Sequence, residues 1–188
     1  MIKMKKSLIS LLSLIFALTL VLTGCSKDGA PDGYKNVANE NDAFYFYVPT
    51  TWVSNTSGGT ASAYYSSDDY SNVSFTCMVI DPGQTDTLET YKTTALEEFA
   101  AVLPEFNEIA REEKLDENGV KVPDPIIEDK ETLVFEYECK LGEDHYKYMQ
   151  AVTMKDNFFY IFTYTSLADN YDKHTAEIES IISNIKFK

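Results

Sequence analysis

Three apolar runs of period two follow one another in the second half of the chain: Thr132–Leu141, His145–Met154 and Phe158–Thr165. Side chains alternate between the faces of a strand, so each run predicts a strand with at least one side to bury. The gaps between them, Gly142–Asp144 and Lys155–Asn157, are turns and too short for the crossover that parallel neighbours require. The runs therefore predict an antiparallel meander, and such a sheet needs an apolar cover.

The cover is legible in two helical patterns. Leu88, Tyr91, Ala95, Phe99 and Val102 recur at helical spacing within Thr87–Leu103, with Asp86 or Thr87 as the cap and Pro104 as the stop. A closing helix is predicted from about Asn170 to Ile185, with Tyr171, His174, Ile178, Ile181, Ile182 and Ile185 on one side. Upstream, Phe44, Phe46 and Val48 alternate with Tyr45 and Tyr47 as one strand ended by Pro49. Ala61–Ser66 and Asn72–Ile80 predict two more strands, with turns at Ser57–Gly59 and Asp81–Gly83. Glu108–Leu115 is a weak strand, and Val120–Ile127, carrying Pro123 and Pro125, is an edge or a loop. The expected fold class is α+β, a central antiparallel sheet flanked by helices.

The N-terminus reads as an address. Lys3, Lys5 and Lys6 precede the apolar stretch Leu8–Leu22, and Leu22-Thr23-Gly24-Cys25 follows. The stretch is short for a spanning helix and suits a signal peptide. The tetrapeptide resembles the lipobox of bacterial lipoproteins, in which the leader is cut before a cysteine that receives a diacylglyceryl group. That resemblance implies a signal peptide over residues 1–24 and lipidation of Cys25. A flexible tether over 25–36 and one folded domain over 37–188 complete the expected organisation. Two acyl chains hold stably where one does not. The expected location is the extracytoplasmic face of the cell membrane.

Cleavage there would leave 164 of the 188 residues, enough for one domain with a sizeable core. It would also remove three lysines and no acids, taking the formal charge from −14 to −17. A chain this acidic, with no basic stripe, is repelled by nucleic acid and by anionic lipid headgroups. No nucleic-acid partner is expected.

Cys77 and Cys139 remain after Cys25. Each lies in an alternating run, Val73-Phe75-Cys77-Val79 and Phe135-Tyr137-Cys139-Leu141, on what reads as the inward face. They are either two buried thiols, a disulfide if their strands are neighbours, or a reactive thiol.

Three stretches resemble the PsbP-like fold, which is shared in outline with Mog-type Ran-binding proteins. They are Phe44–Pro49 with Trp52, then Gly142–Gln150 followed by Phe158–Ser166, and the closing Ile181–Phe187. The resemblance implies an α/β/α sandwich over nearly all of the chain after the leader. It implies no enzymatic activity: members serve as photosystem subunits, as binding domains or as lipoproteins. Nothing in this chain points to a photosynthetic role.

The residues themselves offer no catalytic pattern. There is no His-Glu-x-x-His, Cys-x-x-Cys, EF-type loop, Gly-x-Ser-x-Gly elbow or glycine-rich phosphate loop. No catalytic residue, metal site or cofactor is assigned. His145, beside Glu143 and Asp144, reads as a surface strand residue, and His174 as a boundary residue of the closing helix. The chemical excess is aromatic, with 13 Tyr and 11 Phe. Tyr45, Tyr47, Tyr64, Tyr65 and Tyr70, with Trp52, form the candidate binding surface, because tyrosine offers area with a polar tip. Trp52 also reads as a structural plug behind Pro49. The expected function is a membrane-anchored, non-enzymatic binding or accessory module for an envelope protein or small ligand. The alternatives are a small-ligand or divalent-cation carrier and a hydrolase of envelope polymers.

Overall fold

The computed structural model describes residues 29–55, 60–81, 86–111, 115–120 and 123–188. The leader, Cys25 and the turns at 57–59 and 82–83 lie outside the described residues. The chain divides into two units, Met1–Ala30 and Pro31–Lys188, and the second carries the fold.

Strands β4 (Val53–Asn55), β5 (Ala61–Tyr64), β6 (Asn72–Val79), β7 (Asn107–Ile109), β8 (Thr132–Leu141), β9 (Asp144–Lys155) and β10 (Phe158–Leu167) form one sheet in the order β4-β5-β6-β10-β9-β8-β7. Every pairing in it is antiparallel. Two-residue loops join the central strands. Asp156 and Asn157 both adopt positive φ (49° and 65°), matching the twist of the flanking strands, and Gly142 does so at φ 67° in the preceding turn.

Both faces of the sheet are buried, because the alternation serves two cores. On one face Val73, Phe75, Val134, Met149, Ala151, Tyr160, Phe162 and Tyr164 pack with Phe44, Phe46, Val48, Trp52 and the isoleucines of the closing helix. On the other, Phe135, Tyr137, Val152 and Phe159 meet helix α1 (Leu88–Val102) through Leu88, Tyr91, Leu96 and Phe99. The α/β/α arrangement is the one expected. Thr87 caps α1 in a reciprocal box with Thr90, and Leu103 ends it. Val102 departs from the expected apolar face and is 74% exposed, so the seam runs through Leu96 and Leu103 instead.

The Phe44–Val48 run is two strands, not one. β2 (Phe44–Tyr45) pairs with a C-terminal strand β11 (Lys186–Phe187), while β3 (Tyr47–Pro49) pairs with β1 (Tyr34–Asn36). The switch falls at Phe46, whose backbone N–H donates to Asn36 Oδ1 (3.1 Å). Tyr34–Asn36 is therefore paired strand, and the folded domain begins before the boundary expected at Val37.

The closing helix starts earlier and is broken. It comprises α2 (Ala168–Tyr171), a 3-10 turn (Asp172–His174) and α3 (Thr175–Ser183). The weak strand near Glu108 shrinks to the three residues of β7. Val120–Ile127 forms no extended edge among the described residues. Its anchor is Ile127, fully buried and bridged to Lys130.

Candidate functional site

The six aromatic residues of the candidate surface do not share one environment. Tyr64, Tyr65 and Tyr70 are 37%, 40% and 56% exposed, whereas Tyr47 and Trp52 are buried. Tyr45 is half-buried, stacks on Tyr47 (5.8 Å, 10°) and lies under the Lys188 ammonium. Tyr47, in β3, is thus removed from the surface. Trp52 acts as the plug, its indole edge-on to Tyr65 (5.8 Å) and His174 (6.0 Å).

Tyr65 and Tyr70 belong to the connection between β5 and β6, which is fastened at several points. The Tyr65 N–H donates to the Ser71 carbonyl (2.8 Å), and Asn170 Nδ2 donates to the Asp69 carbonyl (3.0 Å). Ser71 and Ser166, both fully buried, share a hydroxyl hydrogen bond of 2.8 Å. Tyr70 sits between these anchors at φ 62°, a left-handed conformation that is strained for a bulky residue.

His174 joins this loop to the closing helix. It is 8% exposed. Its Nε2 lies 3.3 Å from Asp69 Oδ1 and its Nδ1 3.6 Å from Glu177 Oε2, and its ring packs at 4.3 Å on Tyr65. Burial works against ionisation of Asp69. Hydrogen bonds from Ser71 and His174, with the charge on His174, outweigh it and hold the carboxyl below its ordinary value. Both ring nitrogens face carboxylates and the ring is covered by tyrosine, so this His–Asp pair is arranged to fasten the loop. His145 lies exposed at the start of β9. Among the described residues, no group of three or more His, Cys, Asp or Glu could hold a metal ion.

The cysteines end on opposite faces. Cys77 continues the Val73–Phe75 side of β6 and is exposed, because that core stops short of it; Cys139 continues the Phe135–Tyr137 side of β8 and is buried. Two strands separate β6 from β8, a lateral gap of about 14 Å. That exceeds the reach of a disulfide, about 7 Å between Cα atoms, and both thiols are free. Of the three alternatives, the geometry removes the disulfide, and it corrects the inward placing of Cys77, which lies exposed.

One charged cluster escaped the sequence reading. Arg111 Nε lies 3.2 Å from Glu136 Oε1 and its Nη1 2.8 Å from Asp124 Oδ1, while Lys147 lies 3.4 Å from Glu136 Oε2 and 4.2 Å over the Tyr171 ring. The only signal for it was the acid Glu136 inside an apolar run. Its cations and carboxylates pair with one another. Two clefts flank α1: about 530 Å³ at its start, beside Lys130–Leu133 and Met154, and about 290 Å³ between Tyr91, Phe99, Met78 and Phe159.

A seven-stranded antiparallel sheet with a helical layer on each face defines an α+β sandwich domain. The chain belongs to the PsbP family, whose sequence profile matches residues 32–187. The solution structure of cyanobacterial PsbP (CyanoP) from Synechocystis sp. PCC 6803 shares the fold. It has a TM-score of 0.56 and 15% identity, and the match covers 89% of this chain and 99% of that one. Weaker likenesses are LpqN of Mycobacterium tuberculosis, described as involved in cell envelope biogenesis, and the Saccharomyces cerevisiae Ran-binding protein Mog1p. The first scores 0.49 at 11% identity, covering 85% and 80% of the two chains. The second scores 0.47 at 8% identity, covering 78% and 83%. No curated protein matches the chain in sequence.

Proposed function

We propose that this protein is a membrane-anchored, extracytoplasmic lipoprotein whose PsbP-family domain is a non-enzymatic binding or accessory module for a partner in the cell envelope. The observation that carries the binding role is the loop between β5 and β6. It is tied to β10, α2 and the His174 turn, yet leaves Tyr65 and Tyr70 exposed. Surface held rigid before contact loses less entropy on binding. The anchor rests on the lipobox-like Leu22–Cys25 behind a short apolar stretch.

Two measurements test this. Cys25→Ala should release the protein from the membrane fraction and abolish incorporation of labelled fatty acid; retention of both in the variant would remove the anchor from the proposal. Photo-crosslinking from exposed positions of the intact, anchored protein should give discrete protein adducts. Adducts from no position would end the binding role.

A small-ligand role is the second reading, and the cleft of about 530 Å³ at the start of α1 favours it. Thermal unfolding with a panel of divalent cations and envelope glycans tests it. A ligand at a hundred times its Kd adds about 2.7 kcal/mol. An unchanged midpoint across the panel leaves the protein partner.

A further inference from the structure

We propose that the surface formed by Tyr65, Asp68 and Tyr70 docks a cationic segment, bearing arginine or lysine, of a protein partner. This rests on the binding-module reading and adds to it the surface and the partner's chemistry.

Charge complementarity carries the choice of partner. Between Lys35 and Lys92 the chain has no Lys, Arg or His, and this stretch supplies β2 to β6 and the tyrosine loop. Asp68 and Asp69 lie within the loop, and Asp169, Asp172 and Glu177 lie on the helical segment fastened to it. Fewer cations than these five carboxylates stand nearby. Lys173 donates to Asn170 Oδ1, Lys147 of β9 lies between Glu136 and the Tyr171 ring, and His174 stands between two carboxylates. The surface around the exposed tyrosines is therefore negative.

Exposed tyrosines and a carboxylate carried on one loop suit a guanidinium or ammonium group, which is attracted both to aromatic rings and to the acid. The same charge disfavours the other occupants. A second copy would bring the same acids to the contact, and anionic lipid or nucleic acid would be repelled. The anchors on both sides of Tyr70 fix the backbone that carries it before any partner arrives.

The test uses the full-length chain in a nonionic detergent and the anisotropy of labelled oligo-arginine and oligo-lysine peptides, with a neutral Gly-Ser peptide as control. Tyr70→Asn is the decisive variant, because it keeps the net charge and asparagine accepts the left-handed backbone. It should weaken oligo-arginine binding about three- to fivefold, the worth of an exposed cation–π contact. Asp68→Asn should weaken binding more than Glu97→Gln, which removes an equal charge from the exposed side of α1. Equal affinities for Tyr70→Asn and the wild type would overturn the proposal, since binding would then be diffuse attraction to an acidic protein. Stronger binding of a neutral glycan, of anionic vesicles or of a second copy would also overturn it. A photo-crosslinker replacing Ser67 separates the two readings in the cell. Adducts competed away by oligo-arginine support the docking surface. Adducts indifferent to oligo-arginine and to Tyr70→Asn defeat it and leave the binding module standing. No adduct from any exposed position defeats both.

Discussion

Asp69 and His174, 105 positions apart in sequence, approach to 3.3 Å between Oδ1 and Nε2, so that a loop between two strands is fastened to the helical segment closing the domain. The same aspartate accepts the Ser71 N–H at 3.2 Å and holds the turn in which Tyr70 is left-handed. One carboxylate thereby sets both the position of the loop and its internal shape.

The pH dependence of stability follows. Because the Asp69 carboxyl is held below its ordinary value in the folded state, it adds stability above the unfolded value, near 4. That stability is lost as pH falls through the folded value. Urea unfolding as a function of pH should show a decline in stability on the acid side. Asp69→Asn should flatten that decline at the cost of about 1–3 kcal/mol near neutrality, the penalty for the buried His174 left without this carboxylate.

At alkaline pH the buried tyrosines act in the opposite sense. Burial, with Glu98 nearby, pushes the Tyr91 phenol up to about 12, and burial raises Tyr137, Tyr148 and Tyr171 as well. A folded value raised above the unfolded one, near 10, means stability that is complete below that pH and lost as pH rises through the folded value. Tyrosinate absorbance should therefore show a late group of phenols ionising together with the loss of near-ultraviolet circular dichroism. A smooth single titration of all the tyrosines in folded protein would contradict this.

Trp52 is the single tryptophan and is fully buried. Its emission should be blue-shifted, indifferent to iodide, and should move to the red on unfolding. Trp52→Ala should cost about 3–5 kcal/mol, as large aromatic truncations in cores do. Strong quenching in the native state would show that the indole is an open platform.

The two thiols should react at different stages. Cys77 is exposed, whereas Cys139 is buried and its thiol is pushed up by that burial. A chromogenic disulfide reagent should label Cys77 in native protein and reach Cys139 only on unfolding. Oxidation of folded protein should give no intramolecular bridge between them.

Removing Lys186–Lys188 tests the C-terminal strand. Phe187 packs edge-on to Tyr160 at 4.7 Å, and its N–H donates to Glu128 Oε2 at 3.1 Å. The truncated chain would expose Phe44 beside an unpaired β2. Loss of about 2–4 kcal/mol is expected in chemical denaturation, from the lost aromatic burial and backbone bonds.

Local pattern alone determined a great deal here. The meander from Thr132 to Thr165, the helix capped at Asp86 or Thr87, the isoleucine face of the closing helix and the layered α+β class all follow from spacing and turn chemistry. Those signals act between near neighbours in the chain. Tertiary structure decided what depends on long-range register and cover. It split Phe44–Val48 between β1 and β11, because Asn36 captured the backbone at Phe46. It left Cys77 in solvent, because the packed layer ends before reaching it, and Val102 in solvent, because the seam of α1 runs through Leu96 and Leu103; it buried Tyr47 while Tyr65 and Tyr70 stayed out. It also joined Asp69 to His174 and Arg111 to Glu136. An alternating pattern reports that a strand has two unlike sides, but only the assembled layers settle which side is covered and how far along.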